Sequence, residues 1–220
     1  MPKVSEKYIY NKRQAIADAA YQVCLRKPVS SVTMQDIINE TGLSQGGIYR
    51  FYSDLDEILQ AMISNMRKQF GIISDTDKIF EEKKEKTASE FARQICSLLA
   101  DRMEQNLMTI QKINYDLTVL AINEPERVKK ILRNIDSESN MEHLTKCTFE
   151  LIMKRINEGD LHLKVEPEIL MQYIACAYTG IEHNCIISNC YDAGPMKIKY
   201  SPRPLLETLG ITIAYLLGEN

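Results

Sequence analysis

A chain of 220 residues with 45% apolar side chains is long enough for a substantial core, and its scarcity of breakers, 9 glycines and 7 prolines, argues against a turn-rich β architecture. No apolar run nears the roughly 18 residues that cross a membrane. Met1-Pro2-Lys3-Val4-Ser5-Glu6 lacks the apolar stretch of a secretory signal, and the cysteines at 24, 96, 147, 176, 185 and 190 include no C-x-x-C pair. A cytoplasmic chain with reduced thiols, no metal, no other cofactor and no membrane partner is therefore expected. The net charge of −3 hides an asymmetry: residues 1–53 carry seven basic and four acidic side chains, +3, which leaves −6 for the remainder. A basic end on an acidic body suits docking of that end onto polyphosphate.

The periodicity reads as helix almost throughout, an all-α chain of about nine helices. Ile16, Ala19, Ala20, Val23 and Cys24 recur at i, i+3, i+4, i+7 and i+8, predicting a first helix from about Tyr8 to Lys27, stopped by Pro28. Thr33, with Asp36 three residues on, caps a second that ends at Thr41-Gly42. Ser44 opens a short third, Gln45 to about Tyr52. Leu55, Ile58, Leu59, Met62, Ile63, Met66 and Phe70 mark a fourth. The polar run Glu81 to Lys86 reads as a solvated connection. Thr87 caps a fifth helix, Leu107 to Ile122 is a sixth, and Pro125 opens a seventh that runs to Asn157, before Gly159. Pro167 opens an eighth, to about Tyr191. After a loop from Asp192 to Pro204, a ninth spans about Leu205 to Leu217.

The chemistry concentrates in Ser31 to Tyr52. Two short helices flank the three-residue turn Gly42-Leu43-Ser44, the geometry of a helix-turn-helix. Ile38, Leu43 and Ile48 would hold the helices at a fixed angle, leaving Gln45, Gly46, Tyr49 and Arg50 outward. Gln pairs bidentately with adenine in the major groove. Gly46 and Gly47 permit close approach of the backbone. Tyr49 and Arg50 reach phosphates, and Thr33, Ser44 and the N–H groups at their helix starts offer anion sites.

This stretch resembles the TetR family signature, roughly T-x-x-D-I-A-x-x-A-G-V-S-x-G-x-L-Y-x-H-F. Thr33, Asp36, Ile37, Gly42, Ser44, Gly46 or Gly47 and Tyr49 stand where that pattern wants them. Ile38 and Thr41 replace small residues, and Phe51-Tyr52 replaces His-Phe. Leu55, between Asp54 and Asp56, stands where relatives usually carry a phosphate-touching Lys, so one backbone contact is expected to be lost. The resemblance implies a DNA-binding domain at 1–53 and a ligand-binding and dimerisation domain at 54–220. It also implies a homodimer paired through the last two helices, and a repressor released from palindromic double-stranded DNA when a small molecule enters the helical body.

Pocket candidates for a hydrophobic effector are Phe70, Met103, Tyr115, Cys147, Leu151, Tyr173 and Ala177, on apolar helix faces. For the dimer interface the candidates are Cys176, Gly180, His183 and Ile187, a seam with small members, and Leu206, Leu209, Ile213, Leu216 and Leu217, a stripe too wide for a lone terminal helix. Cys176, His183 and Cys190 repeat at heptads, but residues seven apart lie about 10 Å apart along a helix, too far to share a metal. His143 follows Asn140 rather than a Glu, which fails the di-iron Glu-x-x-His pattern, and His162 falls in a loop. Two rival functions remain. One is an interaction module that kept the helix-turn-helix without DNA binding. The other is a helical enzyme, for which no H-E-x-x-H, G-x-S-x-G or phosphate-binding glycine loop is present.

Overall fold

Caps and breakers set the helix ends in the computed structural model, which describes residues 5–81, 86–133, 135, 138–190 and 198–218. Those residues are all-α, without a strand among them. In order the helices are α1 (Glu6–Arg26), α2 (Met34–Thr41), α3 (Gln45–Tyr49), α4 (Leu55–Gln69), α5 (Ile73–Glu81), α6 (Ala88–Asn106), α7 (Lys112–Asn123), α8 (Pro125–Leu132), α9 (Asn140–Glu158), α10 (Pro167–Cys190) and α11 (Pro202–Leu216). A 3₁₀ turn at Val29–Ser31 precedes α2, and a π-helical segment at Leu107–Gln111 lies between α6 and α7. The expected connections at 82–85 and 191–197 lie outside the described residues.

The differences from the sequence reading have local causes. The long helix expected from Pro125 to Asn157 is two, because residues 134–140 are rich in Asn, Asp and Ser, which favour caps over helix interiors. Ser139 and Glu142 then form a reciprocal capping box that starts α9. Helix α5 sits where no helix was expected, with Thr76, Ile79 and Phe80 buried. Helix α11 begins three residues early, because Pro202 and Pro204 occupy its first turn, where backbone N–H groups have no helical acceptor.

The helices fall into two compact units, residues 1–70 with 112–138 and residues 71–111 with 139–220. The expected division at 53/54 was drawn on motif rather than on packing. In the first unit α1 packs on α2, α4 and α7, and α8 packs on α4 and α7. Its centre holds Ile16, Ala20, Cys24, Ile37, Ile48, Ile58, Leu59 and Ile113, none exposed by more than 1%.

In the second unit α11 lies along α6, and α10 packs on α11, α9 and the π-helical segment. This corrects the expected dimer stripe. Leu206, Leu209, Ile213 and Leu217 are buried within the protomer, where α6 covers the apolar face of α11. Gly210 is part of that seam: an added Cβ would lie 3.3 Å from the Cys96 Cβ. The outward face of α11 is instead Ile211 and Tyr215, about 60% exposed. On α10, Cys176 is exposed and Gly180, His183 and Ile187 are partly so.

The thiols divide by burial. Burial pushes Cys24 up to about 12 and Cys96 and Cys185 to about 11, so these three behave as small apolar groups. Burial also pushes the Glu182 carboxyl on α10 up to about 7. Its neighbour Tyr178 is buried, with its phenol hydrogen-bonded to Gln111 of the π-helical segment.

Two outcomes follow from this packing. Ile213→Glu puts a carboxylate into the α6–α11 seam and should cost about 4 kcal/mol or more in urea unfolding, rather than yield folded monomers. For Glu182, a folded value near 7 against an ordinary 4.5 means that the folded state retains the proton longer. Stability is then unaffected below about pH 4.5, falls as pH rises through 7, and stays low above it. Glu182→Gln should leave stability at pH 4 unchanged and raise it at pH 8 by up to about 3 kcal/mol, read from denaturation midpoints across pH.

Candidate nucleic-acid interface

The turn is built as its residues dictate. Gly42 ends α2 in the left-handed conformation, φ 66°, and donates its N–H to the Ile38 carbonyl at 3.0 Å. The Thr41 hydroxyl donates back to the Ile37 carbonyl at 2.8 Å and accepts the Leu43 N–H at 3.3 Å. Ser44 caps α3, accepting the Gly47 N–H at 3.1 Å. Ile37 and Ile48 are fully buried on the inner sides of the two helices. α3 ends at Tyr49 rather than Tyr52, because the N–H groups of Phe51 and Tyr52 both return to the Ile48 carbonyl, at 2.9 and 3.1 Å.

That closure turns the expected side chains outward together. Ser44, Gln45, Gly46, Tyr49 and Arg50 are exposed, the Tyr49 ring by 47%, and Gly47 is partly exposed. The two glycines differ. A Cβ on Gly46 would meet nothing within 4 Å, whereas one on Gly47 would lie 3.3 Å from the Ser44 hydroxyl. Gly47 thus serves the cap, and Gly46 keeps the surface low.

Thr33 is exposed, and its own N–H and hydroxyl are engaged within the cap. The Asp36 carboxylate already takes the Thr33 N–H at 2.8 Å and its hydroxyl at 2.6 Å, and the Lys27 ammonium reaches the same oxygen at 2.8 Å. Lys27 first, then Thr33, hold the Asp36 carboxyl at about 2.

Behind α3 stands an element that the sequence reading passed over. Arg13 on α1 donates to the Phe51 carbonyl and to Glu57 of α4 at 2.8 Å, and its guanidinium lies 4.1 Å from the centre of the Tyr52 ring. Tyr52, 2% exposed, returns its hydroxyl to the Arg13 carbonyl at 2.8 Å. Glu57 also accepts the Ser53 N–H at 2.7 Å.

The acidic start of α4 is neutralised within the unit. Asp54 caps α4 by accepting the Glu57 N–H at 2.8 Å. Asp56 binds Arg127 of α8 at 2.9 Å, and Asp54 binds Lys130 at 3.2 Å. Leu55 between them is half-buried.

The pocket candidates scatter. Phe70 stacks on Tyr21 at 6.2 Å and, like Tyr115, belongs to the first unit. Met103 is core, Cys147 faces α5, and Tyr173 and Ala177 line an open surface groove with Gly180, Leu205 and Thr208. Only Leu151 of the seven reaches the apolar cavity of the second unit, which runs between α6, α9, α10 and α11 past Phe91, Leu144, Ile174 and Leu209. Arg155 and Tyr178 are among its few polar walls. Periodicity identifies apolar faces but does not say which faces meet.

Among the described residues, then, a capped helix-turn-helix precedes an all-helical body. Residues 16–62 match the model of the bacterial regulatory proteins of the tetR family. Over 62 residues it is 34% identical to the HTH-type transcriptional regulator YfiR of Bacillus subtilis (strain 168), a match spanning 28% of this chain and 30% of that one. Its fold is that of a TetR-family transcriptional regulator from Mesorhizobium loti MAFF303099, with TM-score 0.66 and 13% identity over 94% of this chain and 96% of the other. It also resembles Thermus thermophilus FadR, a TetR-family repressor in complex with lauroyl-CoA, with TM-score 0.54 and 15% identity over 93% and 92%.

The glycines give a direct check on the site. Gly46→Ala should raise stability by up to about 1 kcal/mol, as an alanine inside a helix does. Gly47→Ala should lower it by about 1 kcal/mol through the Ser44 cap. Urea denaturation of the two variants decides it.

Proposed function

We propose that the chain binds double-stranded DNA as a two-fold dimer, reading a palindromic site through α3, and acts as a repressor that a hydrophobic small molecule releases. The observation that carries this is the exposed face of α3, where Gln45, Gly46, Tyr49 and Arg50 stand outward over the buried Ile48. Gln45 is the base-reading residue, Tyr49 and Arg50 the phosphate contacts, and Ser44 and Gly47 hold the helix start.

One short reading helix offers too little surface for a specific site, and a second copy at about 34–36 Å solves this on a palindrome. The face that supports pairing is the outer side of α10 and α11: Tyr173, Ala177 and Gly180 with Leu205, Thr208 and Thr212, flanked by Ile211 and Tyr215. The effector reading rests on the cavity between α6, α9, α10 and α11. It encloses about 90 Å³, less than the roughly 150 Å³ that admits benzene, so a long apolar ligand would have to part these helices as it enters. That displacement is the means by which occupancy would respace the two reading heads. A cavity with few polar walls, and the lauroyl-CoA carried by the Thermus relative, favour an effector with an acyl-like chain.

The DNA arm is tested by gel shift on the DNA upstream of the chain's own coding sequence. Gln45→Ala should relax sequence preference, losing about 1–3 kcal/mol at one base pair. Tyr49→Phe should weaken all sequences alike. Gly46→Ala should lose affinity while remaining folded. An unaltered specificity ratio in Gln45→Ala would remove α3 from the groove. For pairing, Ala177→Glu should give folded monomers by size exclusion with light scattering and abolish the shift.

A further inference from the structure

In the second unit, three side chains that the sequence separates come together between α5 and α9. Asp77 of α5 and His143 and Cys147 of α9 each aim a ligand atom at the same small volume, all within 4.8 Å of one another. His143 Nε2 lies 2.7 Å from the Asp77 Oδ1, and Cys147 Sγ lies 3.7 Å from that same Nε2. One imidazole nitrogen therefore faces both partners. A proton relay from thiol through imidazole to carboxylate would need the two ring nitrogens to face different ways, so the arrangement is convergent rather than serial. We propose that Asp77, His143 and Cys147 form a binding site for a zinc-class divalent cation, with the fourth position left to solvent.

The donor set selects the metal. A thiolate and an imidazole favour Zn²⁺ or Co²⁺ over Ca²⁺ and Mg²⁺, which take oxygen ligands. His143 and Cys147 sit four residues apart, on one face of α9. Tetrahedral zinc, with bonds of about 2.3 Å to sulfur and 2.0–2.1 Å to nitrogen, sets those two ligand atoms about 3.6 Å apart, and they lie 3.7 Å apart. Its nitrogen and oxygen ligands stand about 3.4 Å apart. Asp77 therefore has to withdraw by about 0.7 Å from its hydrogen bond, and its side chain, 48% exposed, has room to turn. The exposed Asp77 gives an ion a path in, while the His143 side chain is only 15% exposed.

The backbone around the site is already fixed. Asn140, on the same face of α9 one turn before His143, accepts the Ile72 N–H at 3.0 Å, at the start of α5. Arg102 binds Asp75 at 2.5 Å and ties α5 to α6. A bound ion would add a further tie between α5 and α9, next in sequence to Leu144 and Thr148, which line the apolar cavity. The ion would thus stiffen one wall of that cavity. The site does not depend on the effector or DNA readings above.

The test is anaerobic titration of the full-length protein with Co²⁺. The expected result is one equivalent per chain, with a thiolate-to-cobalt charge-transfer band in the near ultraviolet and visible d–d bands, all bleached by Zn²⁺. Cys147→Ser should abolish the charge-transfer band. His143→Ala and Asp77→Asn should weaken cobalt binding by more than the 10–100-fold that loss of a ligand's hydrogen-bond partner costs. The double variant Cys176→Ser/Cys190→Ser, which removes the two exposed thiols, should bind as the wild type does. Asp77 is exposed, so Asp77→Asn keeps the fold, and circular dichroism of each variant checks this. A wild-type chain with no cobalt–thiolate band at micromolar concentration, or a band that survives Cys147→Ser, overturns the site.

Discussion

From the middle of α1 the Arg13 guanidinium reaches the Phe51 carbonyl, the Tyr52 ring and the Glu57 carboxylate. Three elements meet at this one side chain: the first helix, the strap that leaves α3, and the first turn of α4. A five-residue helix has almost no intrinsic stability, so the direction in which α3 points is set by what grips its two ends. Ser44 and Gly42 grip the start, through a cap and a left-handed turn. Arg13 and Tyr52 grip the finish. A planar guanidinium can serve a carbonyl, a carboxylate and an aromatic face at once, which a lysine cannot.

Much of this head was legible in the sequence, because its signals are local. Thr33 with Asp36, Gly42, and Ser44 with Gly47 are short-range chemistry, and each cap forms where it was read. Arg13 was legible only as a basic residue on the polar side of α1, since its partners lie 38 and 44 residues away. The same limit applies at Thr33. Sequence shows the cap, but not that Lys27, from just past the end of α1, binds the Asp36 carboxylate that accepts from Thr33.

In the second unit the apolar faces of α6, α9, α10 and α11 were visible as faces, and their pairing was not. Leu151 was placed in the cavity, whereas Met103 serves the core and Tyr173 the outer surface. The stripe on α11 is the clearest case. Its width suggested an oligomer, but α6 of the same chain meets the demand, and the Gly210 seam lets the two helices approach closely. Asp77 and His143, 66 residues apart, show how a polar cluster escapes a search for fixed spacings. The i, i+4 pair of His143 and Cys147 was the one local hint of it.

The division of labour on α11 has an evolutionary consequence. Leu206, Leu209 and Ile213 face inward and are answerable to the core, while Thr208, Ile211, Thr212 and Tyr215 face outward and bear little of its stability. Substitutions on the outer face can accumulate without a folding penalty. Under the pairing proposed above, that freedom would let related chains in one cell each drift towards self-recognition and away from one another, while the inner face keeps the architecture common to all.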